Sequence, residues 1–396
     1  MKHLVNRSNL ELLFEQAIFS IFNFIVVINI YNDISTLEVA AMGVNITALY
    51  GTVSISRNLI SGEFTQSKFP LNAIKLEIIL RIICIRTLAV SPVVLIVILL
   101  SCFFTKTDVE TTRLLLLISA EVIFVDNFRQ IQILYNKLQF MSANMISSIL
   151  LTYLLFVWLK PGHQLALMFW LFSFFFYFLI ALARYHKIFG RQDQKEFFNS
   201  RFVSRKSIIL ESFSNHSLFY FYNLVFFQIN PILSGEIRLI TAWIVNAASS
   251  LYITLNNYYT IKLVNYDSTY QEQRSINLLA FLTLAVTSLS FSVFHSFVPL
   301  SNIKIDTWLI FGTCISSITF FIHSRISVLY LHAMQFPKFL TLRSMTWTTT
   351  LAMQLIGTYF FGEKGFIIGS VFSSVYVINS YNRALANSKM VKGDLK

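Results

Sequence analysis

Apolar runs of about 20 residues recur along the whole chain, separated by short polar turns, and this recurrence limits what the chain can fold into. The runs fall near residues 10–31, 37–60, 83–104, 112–134, 141–159 and 164–183, then 208–229, 238–261, 276–298, 307–330, 339–360 and 364–383. A helix of that length crosses the hydrocarbon of a bilayer, whereas a membrane barrel would alternate apolar and polar positions. The expectation is an all-α membrane protein with about 12 transmembrane helices. Composition agrees: 55% of the 396 residues are hydrophobic and 13% are charged, against about a quarter charged in soluble domains. Pro92, inside the third run, predicts a bend there. The lead MKHLVNRSN is basic and no small-residue cleavage site closes the first run, so that run reads as a retained helix rather than a signal peptide.

One stretch stays polar for longer than any other. Residues 184–206 carry seven Lys/Arg (Arg184, Lys187, Arg191, Lys195, Arg201, Arg205 and Lys206) against Asp193 and Glu196, near the midpoint of the chain. This divides the sequence into an N-terminal six-helix lobe (1–183), a basic cytoplasmic connector (184–206) and a C-terminal six-helix lobe (207–396). With the N-terminus in the cytoplasm, 25 Lys/Arg fall on inner segments and six on outer ones: Lys106, Arg113, Lys160, Arg238, Lys304 and Lys364. A missed or extra span would scramble this positive-inside bias, so both termini are expected to be cytoplasmic. Retention of those inner segments also explains the net charge of +12, and no nucleic-acid partner is expected. A faint repeat relates Asn45 and Thr52 to Asn246 and Thr254, as in transporters built from two halves.

Polar groups inside a bilayer are costly and face a cavity or a partner helix. Four stripes lie on single helix faces: Gln16, Ser20 and Asn23; Asn45, Thr52 and Ser56; Ser212, His216 and Asn223; Asn246, Ser250 and Thr254. Any one stripe is equally explained by interhelical hydrogen bonds of about 0.6 kcal/mol each. Their joint placement on the first two helices of each half favours a shared wet cavity. Arg57, Arg129 and Arg325 fall at cytoplasmic depth, where a guanidinium fork suits a phosphate headgroup. Snorkelling accounts for Arg57 and Arg325 without any function, and Asp126, three residues before Arg129, makes that arginine half of a self-neutralised pair. Glu15 is either an ion-coupling carboxylate or a solvated helix end, and Glu121 and Glu211 pose the same choice.

Catalytic signatures are missing. His216, His295 and His323 have no carboxylate at a useful spacing, Cys84, Cys102 and Cys314 have no metal-ligand or CxxC spacing, and no phosphate-binding glycine loop occurs. No enzyme activity, cofactor or metal is expected.

The segment Glu15-Gln16-Ala17-Ile18-Phe19-Ser20-Ile21-Phe22-Asn23-Phe24 resembles the first helix of bacterial polysaccharide-exporter membrane proteins. These belong to the superfamily shared by MATE-like multidrug extruders and lipid-linked oligosaccharide flippases. Ser56-Arg57-Asn58-Leu59-Ile60-Ser61-Gly62-Glu63, Asp126-Asn127-Phe128-Arg129, Gly235-Glu236-Ile237-Arg238 and Gly365-x-x-x-Gly369 are similar to further segments of the same group. Two departures stand out: Ile30-Tyr31-Asn32 replaces an Ala-Arg near the end of the first helix, and two C-terminal helices of many flippases have no counterpart.

The resemblance implies two six-helix bundles in a MATE-like V around a cavity open alternately to each side. The expected function is that of a bacterial inner-membrane flippase for a polyprenyl-diphosphate-linked oligosaccharide, a surface-polysaccharide precursor of the O-antigen kind. Arg57, Arg129 and Arg325 would then meet the diphosphate, with Gln16, Ser20, Asn23, Asn45 and Asn246 at the sugars. Partners would be the bilayer, the lipid-linked oligosaccharide and a polysaccharide polymerase or glycosyltransferases. The alternative is an ion-coupled multidrug or metabolite extruder of the same fold, coupled through Glu15 or Glu211. A membrane-embedded polymerase or transferase is the third reading.

Overall fold

The structure is a computed structural model, and it describes residues 26, 30–31, 34–60, 76–134, 163–184, 206–241, 306–317 and 336–393. These residues are helical, with no strand among them. The helices are α1 (Thr36–Ile60), α2 (Leu76–Thr105), α3 (Val109–Leu134), α4 (His163–Arg184), α5 (Lys206–Ile229), α6 (Pro231–Ile240), α7 (Thr307–Ser317) and α8 (Phe336–Gly393). The last is two antiparallel arms joined at Gly362, whose φ of 58° breaks the helical path.

Local chemistry sets the ends of these helices. Ser35 and Glu38 form a capping box at α1: the Ser35 amide and hydroxyl both donate to Glu38 Oε2 at 2.8 Å, and the Glu38 amide donates back to Ser35 Oγ at 3.3 Å. α2 closes in a Schellman turn, with the Thr107 amide on the Cys102 carbonyl at 3.0 Å and the Lys106 amide on that of Phe103 at 3.2 Å. The left-handed position of that turn, normally glycine, is Lys106 at φ 54°. Asp108 then caps α3 by accepting from the Thr111 amide at 2.8 Å. α6 opens with Asn230 accepting from the Leu233 amide at 3.1 Å and with Pro231 in the first turn, where its missing N–H has no use.

Several boundaries differ from the sequence expectation. α2 begins at Leu76 rather than near 83, because a helix carrying Glu77 and Arg81 extends past its apolar run. It also runs through Pro92 as one continuous helix. α6 begins at Pro231, seven residues before the expected 238, because the Asn230–Pro231 pair starts a helix wherever the chain turns. The arms of α8 meet at a single residue, Gly362, instead of a short loop. The spans expected at 141–159 and 276–298, and most of 10–31, lie outside the described residues.

Many large apolar side chains face outward, and small polar ones share the interior with an apolar core that includes Trp170, Phe128 and Phe366. Leu88 is 74% exposed, Phe103 75% and Phe361 72%, whereas Asn45, Ser56, Ser101, Ser119, Asn127, Thr346, Ser370 and Ser373 are fully buried. Water would not tolerate such a surface, but lipid does, and small residues let helices approach closely. Two stretches among the described residues, Ile82–Thr105 and Ser344–Ser380, are long and apolar enough to cross a membrane, the second folding back at Gly362. The chain is membrane-embedded.

It divides into two compact units. One comprises Met1–Ile34 and Ala41–Ser217, the other Ser35–Ala40 and Leu218–Lys396. The division falls within α5, beyond the expected connector, of which only the ends Arg184 and Lys206 are described. In the first unit α3 packs against both α2 and α4. In the second, an aromatic ladder on α5 (Phe219, Tyr222, Phe226) meets both arms of α8, with Phe219 6.2 Å from Trp347 and Phe226 5.8 Å from Phe366 between ring centroids. The two arms close on glycine: a side chain at Gly365 would strike the Gly357 carbonyl, and one at Gly369 would come within 2.7 Å of that of Met353.

Candidate functional site

Each unit holds its own buried polar cluster, and each cluster is organised by a side-chain amide. In the first unit that amide is Asn45, on α1. Its Nδ2 donates to Thr107 Oγ1 at 2.8 Å, while its Oδ1 accepts from Ser101 at 2.7 Å and Thr105 at 3.3 Å. Thr105 and Thr107 also share a 2.8 Å hydrogen bond. Asn45 therefore fastens the middle of α1 to the last turn of α2, with its hydrogen bonds satisfied by neutral hydroxyls.

Further along α1 the same stripe is less complete. Thr52 and Ser56 turn their hydroxyls back to the carbonyls of Leu49 and Val53, at 2.8 Å each. Asn127 on α3 donates to the Ile123 carbonyl at 2.8 Å and reaches Ser56 at 3.5 Å, while its Oδ1 is buried without a hydrogen-bond partner. Beside it on α3, Asp126 is 6% exposed, and one Glu121 carboxylate oxygen is buried and unpartnered. At the foot of α1, Arg86 of α2 donates to the Ile60 carbonyl at 3.1 Å, placing a cation where the helix dipole ends negative.

In the second unit two amides matter. Gln354, 2% exposed, donates to Ser316 at 2.8 Å and Ser370 at 3.1 Å, tying both arms of α8 to α7. Asn223 on α5 donates to the Phe219 carbonyl at 2.6 Å, so its oxygen is oriented as an acceptor, and it accepts from the Arg238 guanidinium of α6. Arg238 is half-buried.

Two carboxylates at helix turns differ in charge balance. Asp108 is held below the usual carboxylate range: partial burial works against this, but is outweighed by hydrogen bonds from Thr111 and the Glu110 amide and by the nearby His163. Glu363, next to Gly362, is pushed up by partial burial and by Asp306, with Lys364 opposing.

Of the residues expected at the substrate or in ion coupling, Asn45 is the one whose side chain is described, and it takes the role above; Thr52, Ser56 and Asn223 of the polar stripes are placed above as well. Arg57, Arg129 and Glu211 stand on α1, α3 and α5, with side chains outside the described set. Glu15, Gln16, Ser20, Asn23, Asn246 and Arg325 lie outside the described residues. Sequence reasoning missed Arg238, counted there as an outer-loop cation. The signal was present: Asn230–Pro231 marks a turn, and residues 223 and 238 lie seven and eight positions on either side of Asn230, which sets them opposite one another.

No protein-family model and no curated protein sequence matches the chain. Solved structures do match by fold. The outward-facing form of a multidrug resistance MATE family transporter of the MOP superfamily aligns with a TM-score of 0.61 at 13% identity, over 97% of this chain and 95% of the other. MATE in complex with MaD3S gives 0.59 at 13% identity, over 97% and 95%. A MOP superfamily transporter from Pyrococcus furiosus, described as having a binding pocket of reversed polarity, gives 0.57 at 12%, over 96% and 95%. This chain has the MATE transporter fold.

Proposed function

We propose that this protein is a bacterial inner-membrane transporter that expels a small amphipathic solute by alternating access of its two lobes. The observation that carries the reading is the fold alignment across 97% of the chain to a multidrug MATE transporter, from the first lobe through the last. Buried amides and hydroxyls inside lipid-facing helices fit it, because such groups in a membrane protein serve helix contacts or a solute path. Ion coupling through Glu15 or Glu211 belongs to the same proposal, and no chemical step is assigned. The test is export by the purified protein in proteoliposomes and resistance profiling of a strain lacking the gene. Protein-dependent solute movement is the expected result; none with any solute class, in either assay, refutes the reading.

A second reading, translocation of a polyprenyl-diphosphate-linked oligosaccharide, rests on the resemblance of Glu15–Phe24 and Asp126–Arg129 to polysaccharide-exporter membrane proteins. The P. furiosus transporter's reversed pocket polarity supports the idea that this fold accommodates more than one charge class. Under this reading Arg57, Arg129 and Arg325 meet the diphosphate, and loss of surface polysaccharide in a deletion strain is the expected phenotype.

A further inference from the structure

We propose that Glu121 of α3 is a proton-carrying residue of the first unit, taking up and releasing one proton at the middle of the membrane as the transporter cycles. The inference rests on the transporter reading and gives its ion coupling a third carboxylate beside Glu15 and Glu211.

Depth comes first. Arg113 and Arg129 each lie eight residues from Glu121 along α3. At about 1.5 Å per residue Glu121 stands roughly 12 Å from either arginine backbone, and half of a bilayer's hydrocarbon is about 15 Å. The helices packed on α3 repeat that frame: α2 has no charged residue between Arg86 and Lys106, and α4 has none between His163 and Arg184. Glu121 sits at the centre of the frame.

Isolation comes second. One Glu121 carboxylate oxygen is buried with no hydrogen-bond partner, and no cation is paired with the group among the described residues. The other titratable groups nearby are engaged elsewhere or placed elsewhere. Asp126, five residues on, lies about 140° round the helix and stands near Tyr50 of α1. On α2, Cys102 hydrogen-bonds to Thr112 at one end and Cys84 lies toward the other. On α4, His163 is beside Asp108, and Tyr177 has a side chain outside the described set. A bare carboxylate at this depth is costly, and a proton or a bound cation relieves it. A hard cation takes about six oxygen ligands. The described residues offer no group of three or more metal-ligating side chains, so the proton is the ligand that fits.

Access comes third. Arg113, Leu117, Glu121, Phe124 and Phe128 share one face of α3. Exposure falls along it: Arg113 is exposed, Leu117 is 54% exposed, Glu121 and Phe124 are half-buried, and Phe128 is buried. The stacked rings of Phe124 and Phe128, 5.8 Å apart between centroids, close the face just past the carboxyl. A proton arriving from the Arg113 end is therefore held at Glu121 rather than passed along the helix, as coupling without leak requires.

The test uses the full chain as wild type, Glu121→Gln and Glu121→Asp, with the thermal midpoint of each as the folding control. Infrared spectra in lipid films, taken from acid to alkaline pH and repeated in heavy water, read the C=O stretch of protonated carboxyl groups directly. Proteoliposomes then read movement of ethidium and of carboxyfluorescein, with and without an imposed pH gradient. The expected spectrum is a titrating acid band in wild type that Glu121→Gln lacks and Glu121→Asp keeps at a shifted position. In liposomes, acceleration of at least one probe by the gradient falls roughly tenfold or more in Glu121→Gln and in part in Glu121→Asp, while exchange without a gradient stays near wild type. A merely structural role would lower both modes together. Should Glu121→Gln fail to fold, the band shift and the gradient response of Glu121→Asp decide. The proposal is overturned if the acid band persists in Glu121→Gln, if that variant follows the gradient as wild type does, if both modes fall in parallel, or if wild type ignores the gradient. Each of these leaves the transporter reading standing; movement of neither probe by wild type in either mode removes both.

Discussion

The two units use the same side chain to opposite ends. Asn45 in the first is surrounded by Ser101, Thr105 and Thr107, so its polar atoms are matched by neutral hydroxyls and the cluster closes on itself. Asn223 in the second has its nitrogen on a backbone carbonyl and turns its oxygen to Arg238. A buried amide can thus fasten helices or hold a charge in place, and its partners decide which. The left-handed turns differ in the same way. Gly362 reaches a φ of 58° without steric cost, whereas Lys106 adopts 54° with a full side chain.

The comparison breaks most visibly at the glycine crossing of the second unit. Gly365→Leu drives a side chain into the Gly357 carbonyl, and the expected cost is about 3 kcal/mol or more, read as loss of monodisperse folded protein in detergent. If the variant purifies with an unchanged thermal midpoint, the arms of α8 do not cross as described. Next comes Asn45→Ala, which strips three hydroxyls, those of buried Ser101 and Thr105 and half-buried Thr107, of their common partner. A loss of about 2 kcal/mol is expected in a denaturant or thermal titration. Gln354→Leu is a milder version in the second unit, where Ser316 and Ser370 also bond elsewhere or lie half-buried. A double-mutant cycle with Ser370→Ala should return a coupling of about 0.6 kcal/mol.

Turn substitutions sharpen the contrast with smaller effects. Lys106→Gly relieves the left-handed strain and should raise stability by up to about 1 kcal/mol, while Gly362→Ala should lower it by a similar amount. Asp108→Ala removes the α3 cap, at about 1 kcal/mol. The pH dependence of that cap has a definite sign. Because the folded carboxyl titrates below its unfolded value, its contribution is complete above the usual aspartate range and fades as pH falls through the lowered folded value. The wild type should therefore lose more stability on acidification than Asp108→Asn, measured by thermal midpoint against pH.

Much of the helical layout was legible because hydropathy reports lipid burial directly. The run at 37–60 became Thr36–Ile60, and the run at 164–183 became His163–Arg184. Helix starts outside the apolar zone were not legible that way: Leu76–Arg81 includes charges that hydropathy penalises, and Pro231 is decided by a cap rather than by an apolar run. The Asn45 cluster was half visible. Its stripe stood out, but its partners lie 56 to 62 residues away, beyond any local pattern. Arg238 was misplaced for a different reason. Counting charges by loop treats any arginine near a span end as solvated, and only the hairpin geometry about Asn230 shows it lying opposite a buried amide.

The contrast between the two amides reduces to one side-by-side measurement on purified Asn45→Ala and Arg238→Gln: the thermal midpoint of each, set against wild type. A clear drop in midpoint is expected for Asn45→Ala, and for Arg238→Gln a midpoint near wild type, because a glutamine amide can still donate to the Asn223 oxygen. An Arg238→Gln protein as destabilised as Asn45→Ala would contradict the contrast.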